Sequence, residues 1–375
     1  MIAVVILLIA ISAAQKLGNV TVGNMFANIR SYFMSMGSGD GFPYSIDANS
    51  VVNISVNNSN LLMLTDNETK LLTPTAKEIV PMEHSYSNPV IKTNGSLAVV
   101  YDLDSGNFRL QNSSEITLQK ELPSRIMAAA IGKKGNYAVG TYGTDVQSVL
   151  TVYNSRNREI FIWNFKSERI SDIALSDNGK RAAVSTVYSK NGEISSKLYI
   201  FNFKSDKYEQ CFDYPSTALF KVDYTGKNNV VAVGDNIRSY IKNSKHRKDT
   251  DFNSDNLRGY SVSEKGRSAI VFSKYGSTSL SNLTVYNKKN REKFSADFDK
   301  EVKWVSCDDK YVAVLFENEI KTFNKSGKEI GSITFSGDPI RVVVDGGNTY
   351  LLTSASIQCY KTRGTQTEET TQKEG

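Results

Sequence analysis

The chain has 375 residues, 40% of them hydrophobic, and a formal net charge of +6, so it is long enough to bury a large core. Acidic and basic residues alternate along it, which argues against a nucleic-acid-binding surface. Cys211, Cys307 and Cys359 are too few and too far apart for a disulfide framework or a zinc site, although one long-range bridge stays open. Frequent Tyr and Phe with scarce Pro are typical of a strand-rich protein.

Residues 1–17 are predicted to form a signal anchor or transmembrane segment. Residues 1–14 carry no charge, but as a helix they would cover only about 21 Å of the roughly 30 Å hydrocarbon layer. Ser12, Ala13 and Ala14 suit a signal peptidase, so cleavage followed by secretion is the alternative. Because such signals begin with a basic region and this one does not, we expect the true start to lie upstream. A buried strand or helix of the fold is the third interpretation.

Residues 18–41 are predicted to form a juxtamembrane helix and linker. Their apolar residues recur with a helical period, which indicates a short amphipathic helix near the membrane surface. These residues are Val22, Met25, Phe26, Ile29, Tyr32 and Phe33. A stalk or cap packed on the following domain is the alternative, and three alternating glycines, Gly37, Gly39 and Gly41, form a joint before it.

From residue 42 the chain repeats one pattern. The unit is clearest at residues 173–184, where an apolar strand, a polar turn ending in Gly179 and a second strand form a hairpin. Further copies surround Asn57, Gly95, Gly135, Gly226, Gly266, Asp308 and Gly346. From Gly95 to Gly266 the turn glycines are separated by 40, 44, 47 and 40 residues. This is close to the period of a four-stranded propeller blade.

A second marker follows the same period. An aromatic residue followed by Asn ends an alternating strand at Asn154, Asn202, Asn287 and Asn324, and Asn favours turns, so we expect these residues to be structural. Two hairpins per repeat and eight repeats predict an all-β propeller of eight four-stranded blades over residues 42–361. Seven blades with an irregular N-terminal strand pair is the alternative count.

The two ends of the repeat region are predicted to close the ring. The last repeat supplies only three strands, and residues 42–47 can add the fourth, which removes an exposed sheet edge. Residues 362–375 are polar throughout, so a disordered tail is expected there.

The turn Leu175-Ser176-Asp177-Asn178-Gly179 resembles those of WD-repeat-like propellers, although neither Trp163 nor Trp304 is followed by the Asp of a true WD repeat. With its apolar N-terminus, the chain resembles a bacterial family of membrane-anchored propellers of unassigned function. The resemblance implies a single-pass protein of the cell membrane with its propeller on the extracytoplasmic side. It covers nearly the whole sequence, but its motifs are turn residues and indicate fold and location rather than activity.

No catalytic, cofactor-binding or metal-binding residue is assigned. His84 and His246 are the only histidines, and both are expected to be loop or surface residues rather than parts of a triad or metal site. Residues 249–255 space oxygen donors like a calcium loop, but Ser254 replaces the required Gly and Tyr260 the required Glu. We therefore expect a charged outer strand there, continuous with the basic residues 245–248.

These observations favour a non-enzymatic interaction platform that binds a protein or cell-envelope component, since propeller loops vary while the blades stay fixed. The competing hypothesis is a propeller hydrolase or lyase acting on glycan or peptide in the central channel. Such an enzyme needs acids and bases that converge at the inner strands, and Asp172, Asp223 and Lys303 are candidate contributors. A quinoprotein-type cofactor is disfavoured because its periodic Trp residues are missing.

Overall fold

Eight β-sheets, each built on four antiparallel strands, follow one another along the chain in the computed structural model, which describes residues 37–46, 50–57, 59–252, 257–274 and 277–367. Each sheet is one blade, and blades 1 to 8 are numbered in chain order. The predicted segment 1–17, and the predicted juxtamembrane helix up to residue 36, lie outside the described residues. In the part that is described, no helix has the length and apolar character needed to cross a membrane.

Strand β1 (Tyr44–Ser45) precedes the first blade. Blade 1 consists of β2 (Val51–Asn57), β3 (Asn60–Thr65), β4 (Glu68–Leu72) and β5 (Glu78–Glu83), and blade 2 of β6 (Pro89–Asn94), β7 (Leu97–Asp102), β8 (Asn107–Gln111) and β9 (Ile116–Glu121). Blade 3 consists of β10 (Ile126–Ile131), β11 (Tyr137–Tyr142), β12 (Ser148–Tyr153) and β13 (Glu159–Phe165). Blade 4 consists of β14 (Arg169–Leu175), β15 (Arg181–Lys190), β16 (Glu193–Asn202) and β17 (Tyr208–Tyr214).

Blade 5 consists of β18 (Leu219–Tyr224), β19 (Val230–Gly234), β20 (Ile237–Lys242) and β21 (His246–Asp251), and blade 6 of β22 (Leu257–Val262), β23 (Ser268–Lys274), β24 (Ser277–Tyr286) and β25 (Glu292–Phe298). Blade 7 consists of β26 (Trp304–Cys307), β27 (Val312–Leu315), β28 (Glu319–Phe323) and β29 (Glu329–Thr334). Blade 8 contains β30 (Pro339–Asp345), β31 (Asn348–Thr353) and β32 (Ser356–Lys361). A last strand, β33 (Gly364–Thr367), follows. The prediction of eight four-stranded blades is confirmed.

The hydrophobic core lies between neighbouring blades. Leu150 and Val152 of blade 3 share one buried cluster with Ile173 and Val184 of blade 4. Because side chains alternate between the two faces of a strand, the middle strands of a blade serve two such clusters, one on each side. This explains continuous apolar runs such as residues 182–184 of β15, which alternate between two clusters.

The two predicted turn types are confirmed. In the first type, Gly179 adopts a φ of +67° and its N–H donates to the carbonyl of Ser176 at 2.8 Å. In the second type, the side-chain oxygen of Asn154 accepts from the backbone N–H of Arg156 at 2.9 Å and of Arg158 at 3.1 Å. Asn287 and Asn324 bond their own turns in the same way, so these asparagines have a structural role.

The two ends of the repeat region close the ring, as the sequence predicts. Strand β1 pairs with β32 through Tyr44 opposite Ile357 and Ser45 opposite Ser356, which completes blade 8. The N–H of Ile46 extends the pairing by donating to the carbonyl of Ala355 at 3.1 Å.

The start of the predicted disordered tail is instead a strand. Strand β33 pairs in parallel with the outer strand β29, with Gly331 opposite Gly364. Just before it, Thr362 is fully buried, and its carbonyl accepts from the hydroxyl of Thr322 at 2.6 Å. Backbone hydrogen bonds to a free sheet edge explain why a polar segment can form a strand there. The ordered region therefore continues beyond residue 361, while residues 368–375 lie outside the described residues.

Candidate functional site at the mouth of the channel

The central channel has two chemically different ends. The first strands of the blades contact one another around the axis, and their residues line the channel. Because every blade begins with its inner strand, these strands all run in the same direction. The bulge mouth is the end of the channel at which these inner strands begin. The turn mouth is the opposite end, at which each inner strand enters the turn that leads to the second strand of its blade.

Beta-bulges surround the bulge mouth. In six inner strands the pairing with the second strand of the blade skips one residue near the start. The skipped residues are Val52, Met127, Ser171, Phe220, Arg258 and Ile340. A bulge leaves its residue unpaired and redirects its side chain. Four of the six are apolar, and Val52 and Ile340 are 45% and 43% exposed.

A Trp–Arg pair connects three consecutive blades at this mouth. The ring of Trp304, on blade 7, is 38% exposed. The guanidinium carbon of Arg341, on blade 8, lies 4.3 Å from the centre of that ring, and Arg341 also donates to the amide oxygen of Asn53 on blade 1. Burial lowers the pKa of Arg341, but a guanidinium stays charged at neutral pH. The arrangement therefore presents a fixed cation beside an accessible aromatic face.

A cleft of about 680 Å³ opens next to Trp304, between blades 5, 6 and 7. Phe220 and Tyr260 form one wall, with ring centres 5.0 Å apart. Gly259 follows the bulge of β22. Among the described residues outside its immediate neighbours, a Cβ added there would contact only the Cγ1 of Val305, at 3.9 Å. The missing side chain of Gly259 is one reason why the cleft is open.

A charged network lies deeper in the channel and includes two of the residues named from the sequence. Lys92 of blade 2 pairs with Asp172 of blade 4, whose second oxygen accepts from the N–H of Val222 at 2.8 Å. Lys221 pairs with Asp223 at 3.1 Å, and about a third of each of these two side chains stays accessible. Both oxygens of Asp172 are therefore engaged within the protein.

The two charges of the accessible pair influence each other's protonation. Burial alone would lower the pKa of Lys221, but the carboxylates of Asp223 and Asp172 raise it overall. Burial raises the pKa of Asp223, and Asp172 adds to this effect while Lys221 opposes it. Lys221 therefore holds its proton, and Asp223 holds one more readily than an ordinary Asp.

The other candidates from the sequence lie apart from this network. Lys303 pairs with Glu301 at 3.2 Å and Glu317 at 3.1 Å. His84 stacks on Tyr86 with ring centres 4.8 Å apart. Burial, followed by the charge of Arg109, lowers the pKa of His84 to about 4.

The charged segment near residue 249 is an outer strand, as predicted. His246 lies on β21, the outermost strand of blade 5. In the same strand, Asp249 accepts from Arg247 at 2.7 Å and from Ser239 at 2.6 Å. Residues 253–256 of the calcium-like segment lie outside the described residues. No group of three or more His, Cys, Asp or Glu side chains among the residues the structure describes could hold a metal ion.

Cys211, Cys307 and Cys359 are all free thiols, so the long-range bridge left open by the sequence does not form. Burial raises the pKa of each to about 11. A thiol with such a pKa is a poor nucleophile at neutral pH.

The turn mouth is acidic and tightly bonded. One oxygen of Asp308 accepts from the N–H groups of Lys310 and Tyr311, both at 2.6 Å, and the other from Gly346 of the next blade at 2.6 Å. Asp309 accepts from Ser263 of the preceding blade at 2.8 Å. These acids connect neighbouring blades and are structural.

One family profile, described as "Family of unknown function (DUF5711)", matches residues 44–367. The chain belongs to this family. The match ends at the last residue of β33, which agrees with an ordered region that extends beyond residue 361. No curated protein matches the sequence.

Several solved structures share the propeller fold. Sqt1 of Saccharomyces cerevisiae is 12% identical with a TM-score of 0.60, and the match covers 87% of this chain and 99% of that one. BamB of Moraxella catarrhalis is 11% identical with a TM-score of 0.53 and the same coverage. A eukaryotic initiation factor is 9% identical with a TM-score of 0.56, covering 87% of this chain and 89% of that one. At these identities the likeness concerns the fold alone, and it confirms the propeller part of the resemblance.

Sequence reasoning missed most of the bulge mouth. It considered Trp304 only for the missing Asp that would follow it in a WD repeat, and it did not single out Arg258, Gly259 or Arg341. A bulge depends on the register with the next strand, which periodicity does not reveal. One signal was present: Arg258 and Arg341 are basic residues near the start of their inner strands.

Proposed function

We propose that this protein is an interaction platform: a rigid propeller whose bulge mouth holds a protein or cell-envelope partner, without catalysing a reaction. We further propose that the apolar segment 1–17 tethers it to the cell membrane with the propeller on the extracytoplasmic side.

The composition of the bulge mouth carries the binding proposal. Trp304, Ile340 and Val52 are large apolar side chains exposed on three consecutive blades at one end of the channel. The guanidinium group of Arg341 stacks on the ring of Trp304 within this group of residues. Trp and Arg are among the residues that most often dominate the binding energy of protein interfaces. Large contiguous apolar patches are rarely exposed on protein surfaces unless they serve binding.

The bonding of Asp172 supports a non-catalytic role. An acid or base must exchange a proton with a substrate, but Asp172 is buried and both its oxygens are engaged. Asp223 is the better candidate for the alternative, a hydrolase or lyase, because it is accessible and its pKa is raised. Its partner Lys221 holds its own proton and so does not serve as a base.

Site-specific photo-crosslinking tests the binding proposal. The photoreactive residue p-benzoylphenylalanine is placed at position 340 or, as a matched control, at position 162. Ile340 and Ile162 are 43% and 47% exposed, but Ile162 lies on the outermost strand of blade 3. We expect discrete adducts only from position 340, and Trp304→Ala should remove them. Equal adducts from both positions, or none from position 340, would contradict the proposal.

Fractionation with protease protection tests the location. The full chain should sediment with membranes, and protease added to cells with a permeable outer envelope and an intact cytoplasmic membrane should digest the propeller. Deleting residues 1–17 should release the protein from the membrane fraction. A full chain found in the cytosol, or a propeller protected from external protease, would refute the tethering.

A further inference from the structure

The cleft beside Trp304 is lined by cations and by no carboxylate among the described residues. Its charged residues are Lys221, Arg258 and Lys303. Lys221 and Lys303 already have carboxylate partners, whereas Arg258 is exposed and takes part in no ion pair between described residues. Arg341, on the far side of Trp304, bonds the neutral amide of Asn53. Arg341 therefore stacks on the indole and Arg258 lines the cleft beside it, and neither guanidinium group forms an ion pair with a carboxylate of the described residues.

The walls between these guanidinium groups are apolar and aromatic. Phe220, Tyr260 and Trp304 line the cleft, and Gly259 leaves its floor open. A carboxylate-bearing ligand without an apolar part would leave these apolar side chains in contact with water. An apolar ligand without a carboxylate would leave both guanidinium groups without a carboxylate partner among the described residues.

We propose that the cleft recognises an acidic–apolar segment of the partner protein: an apolar or aromatic side chain enters above Gly259, and carboxylates beside it pair with Arg258 and Arg341. This inference rests on the proposed function and names the chemistry of the partner. Guanidinium groups bind carboxylates through two parallel hydrogen bonds, which gives both affinity and orientation. Glu264, Asp308, Asp309 and Asp345 lie toward the turn mouth in a cavity that Trp304 and Arg341 also line, so an acidic segment is expected at the end that carries Arg341.

The test uses the immobilised full-length chain in detergent and a displayed library of random peptides. We expect enrichment of peptides in which Asp or Glu adjoins an aromatic or large aliphatic residue. A selected peptide should bind at least about 10-fold more weakly to Arg258→Ala, the expected effect of losing a charge-assisted hydrogen bond. Arg258→Lys should lose less, because it keeps the charge but not the paired geometry. Binding should also weaken as salt rises.

A second variant tests the cavity independently of charge. The backbone at Gly259 is not in the left-handed region, and apart from its two chain neighbours the described residues place only Val305 Cγ1 within 4 Å of an added Cβ. Gly259→Leu should therefore fold, as thermal unfolding would verify, while filling the cleft and abolishing binding. Ile162→Asp, on the outer rim, is the control and should bind the peptide like the wild type.

The outcomes separate this inference from the proposed function. Enrichment of basic or uncharged peptides, unchanged binding by Arg258→Ala and Gly259→Leu, or no enrichment at all would overturn the acidic–apolar assignment. Position 340 could still give specific crosslinks in any of these cases, and the platform would then stand with a different partner chemistry. Absence of those crosslinks would reject the platform itself.

Discussion

The packing of the turn mouth makes a sharp prediction about Gly266. This residue of blade 6 adopts a φ of +82°, and a Cβ added to it would lie 2.4 Å from the Cγ2 of Thr225 on blade 5 and 3.2 Å from the Cγ2 of Val231. A non-glycine residue in the left-handed region costs about 1 to 2 kcal/mol, and overpacking a closed site costs about 1 to 3 kcal/mol more. We expect Gly266→Ala to lower the free energy of unfolding by about 2 to 5 kcal/mol.

Two variants separate the two contributions. Gly226 has a φ of +98°, and beyond its chain neighbours no described residue has an atom within 4 Å of an added Cβ. Gly226→Ala should therefore show only the backbone cost of about 1 to 2 kcal/mol. Thr225→Ser removes the clashing Cγ2, so the double variant Thr225→Ser/Gly266→Ala should regain most of the overpacking term. Denaturant unfolding of the four proteins measures these differences. If Gly266→Ala is no more destabilising than Gly226→Ala, or if Thr225→Ser gives no rescue, the proposed contact between these turns is wrong.

Three further predictions concern the rest of the ring. In the folded state the pKa of His84 is about 4, whereas in the unfolded chain a histidine takes up its proton near pH 6.5. The free energy of unfolding should therefore fall as the pH drops from 6.5 to 4. After allowance for the accessible part of the ring, the fall should be about 1 to 2 kcal/mol larger in the wild type than in His84→Phe. Deleting residues 362–375 should lower the unfolding midpoint and promote association, because it exposes the edge of β29; an unchanged midpoint would show that β33 does not stabilise the blade. Asp172→Asn and Asp223→Asn should leave turnover of cell-wall fragments and peptides at the level of the wild type, and loss of a measurable turnover in either would refute the non-catalytic role.

The blades could be predicted from the sequence because their determinants are local. A hairpin needs alternating apolar residues and a turn such as the one around Gly179, and both can be recognised within about a dozen residues. Closure by β1 followed from counting strands, since the last repeat lacks one. The turn asparagines, such as Asn154, could be assigned because their bonds reach only two to four residues along the chain.

Features that depend on distant residues could not be predicted in this way. Strand β33 forms because β29 offers a free edge, and Gly331 lets the tail approach: a Cβ there would lie 2.8 Å from the carbonyl oxygen of Thr362. Asp172 and Asp223 were candidates because they place charges in inner strands. Lys221, the partner of Asp223, lies two residues before it on the same strand. Lys92, the partner of Asp172, is identified only when blades 2 and 4 meet around the channel.

The contrast between the two mouths explains why recognition is assigned to the bulge mouth. At the turn mouth, side chains such as Asp308 bond the backbone of the next blade, and glycines such as Gly266 fit against neighbouring turns, so most changes there would disturb the ring. At the bulge mouth the bulged residues are outside the strand pairing. Side chains such as Arg258 and Ile340 can therefore change with little effect on folding. Variants at this mouth should alter binding far more than stability, and the turn mouth should show the reverse.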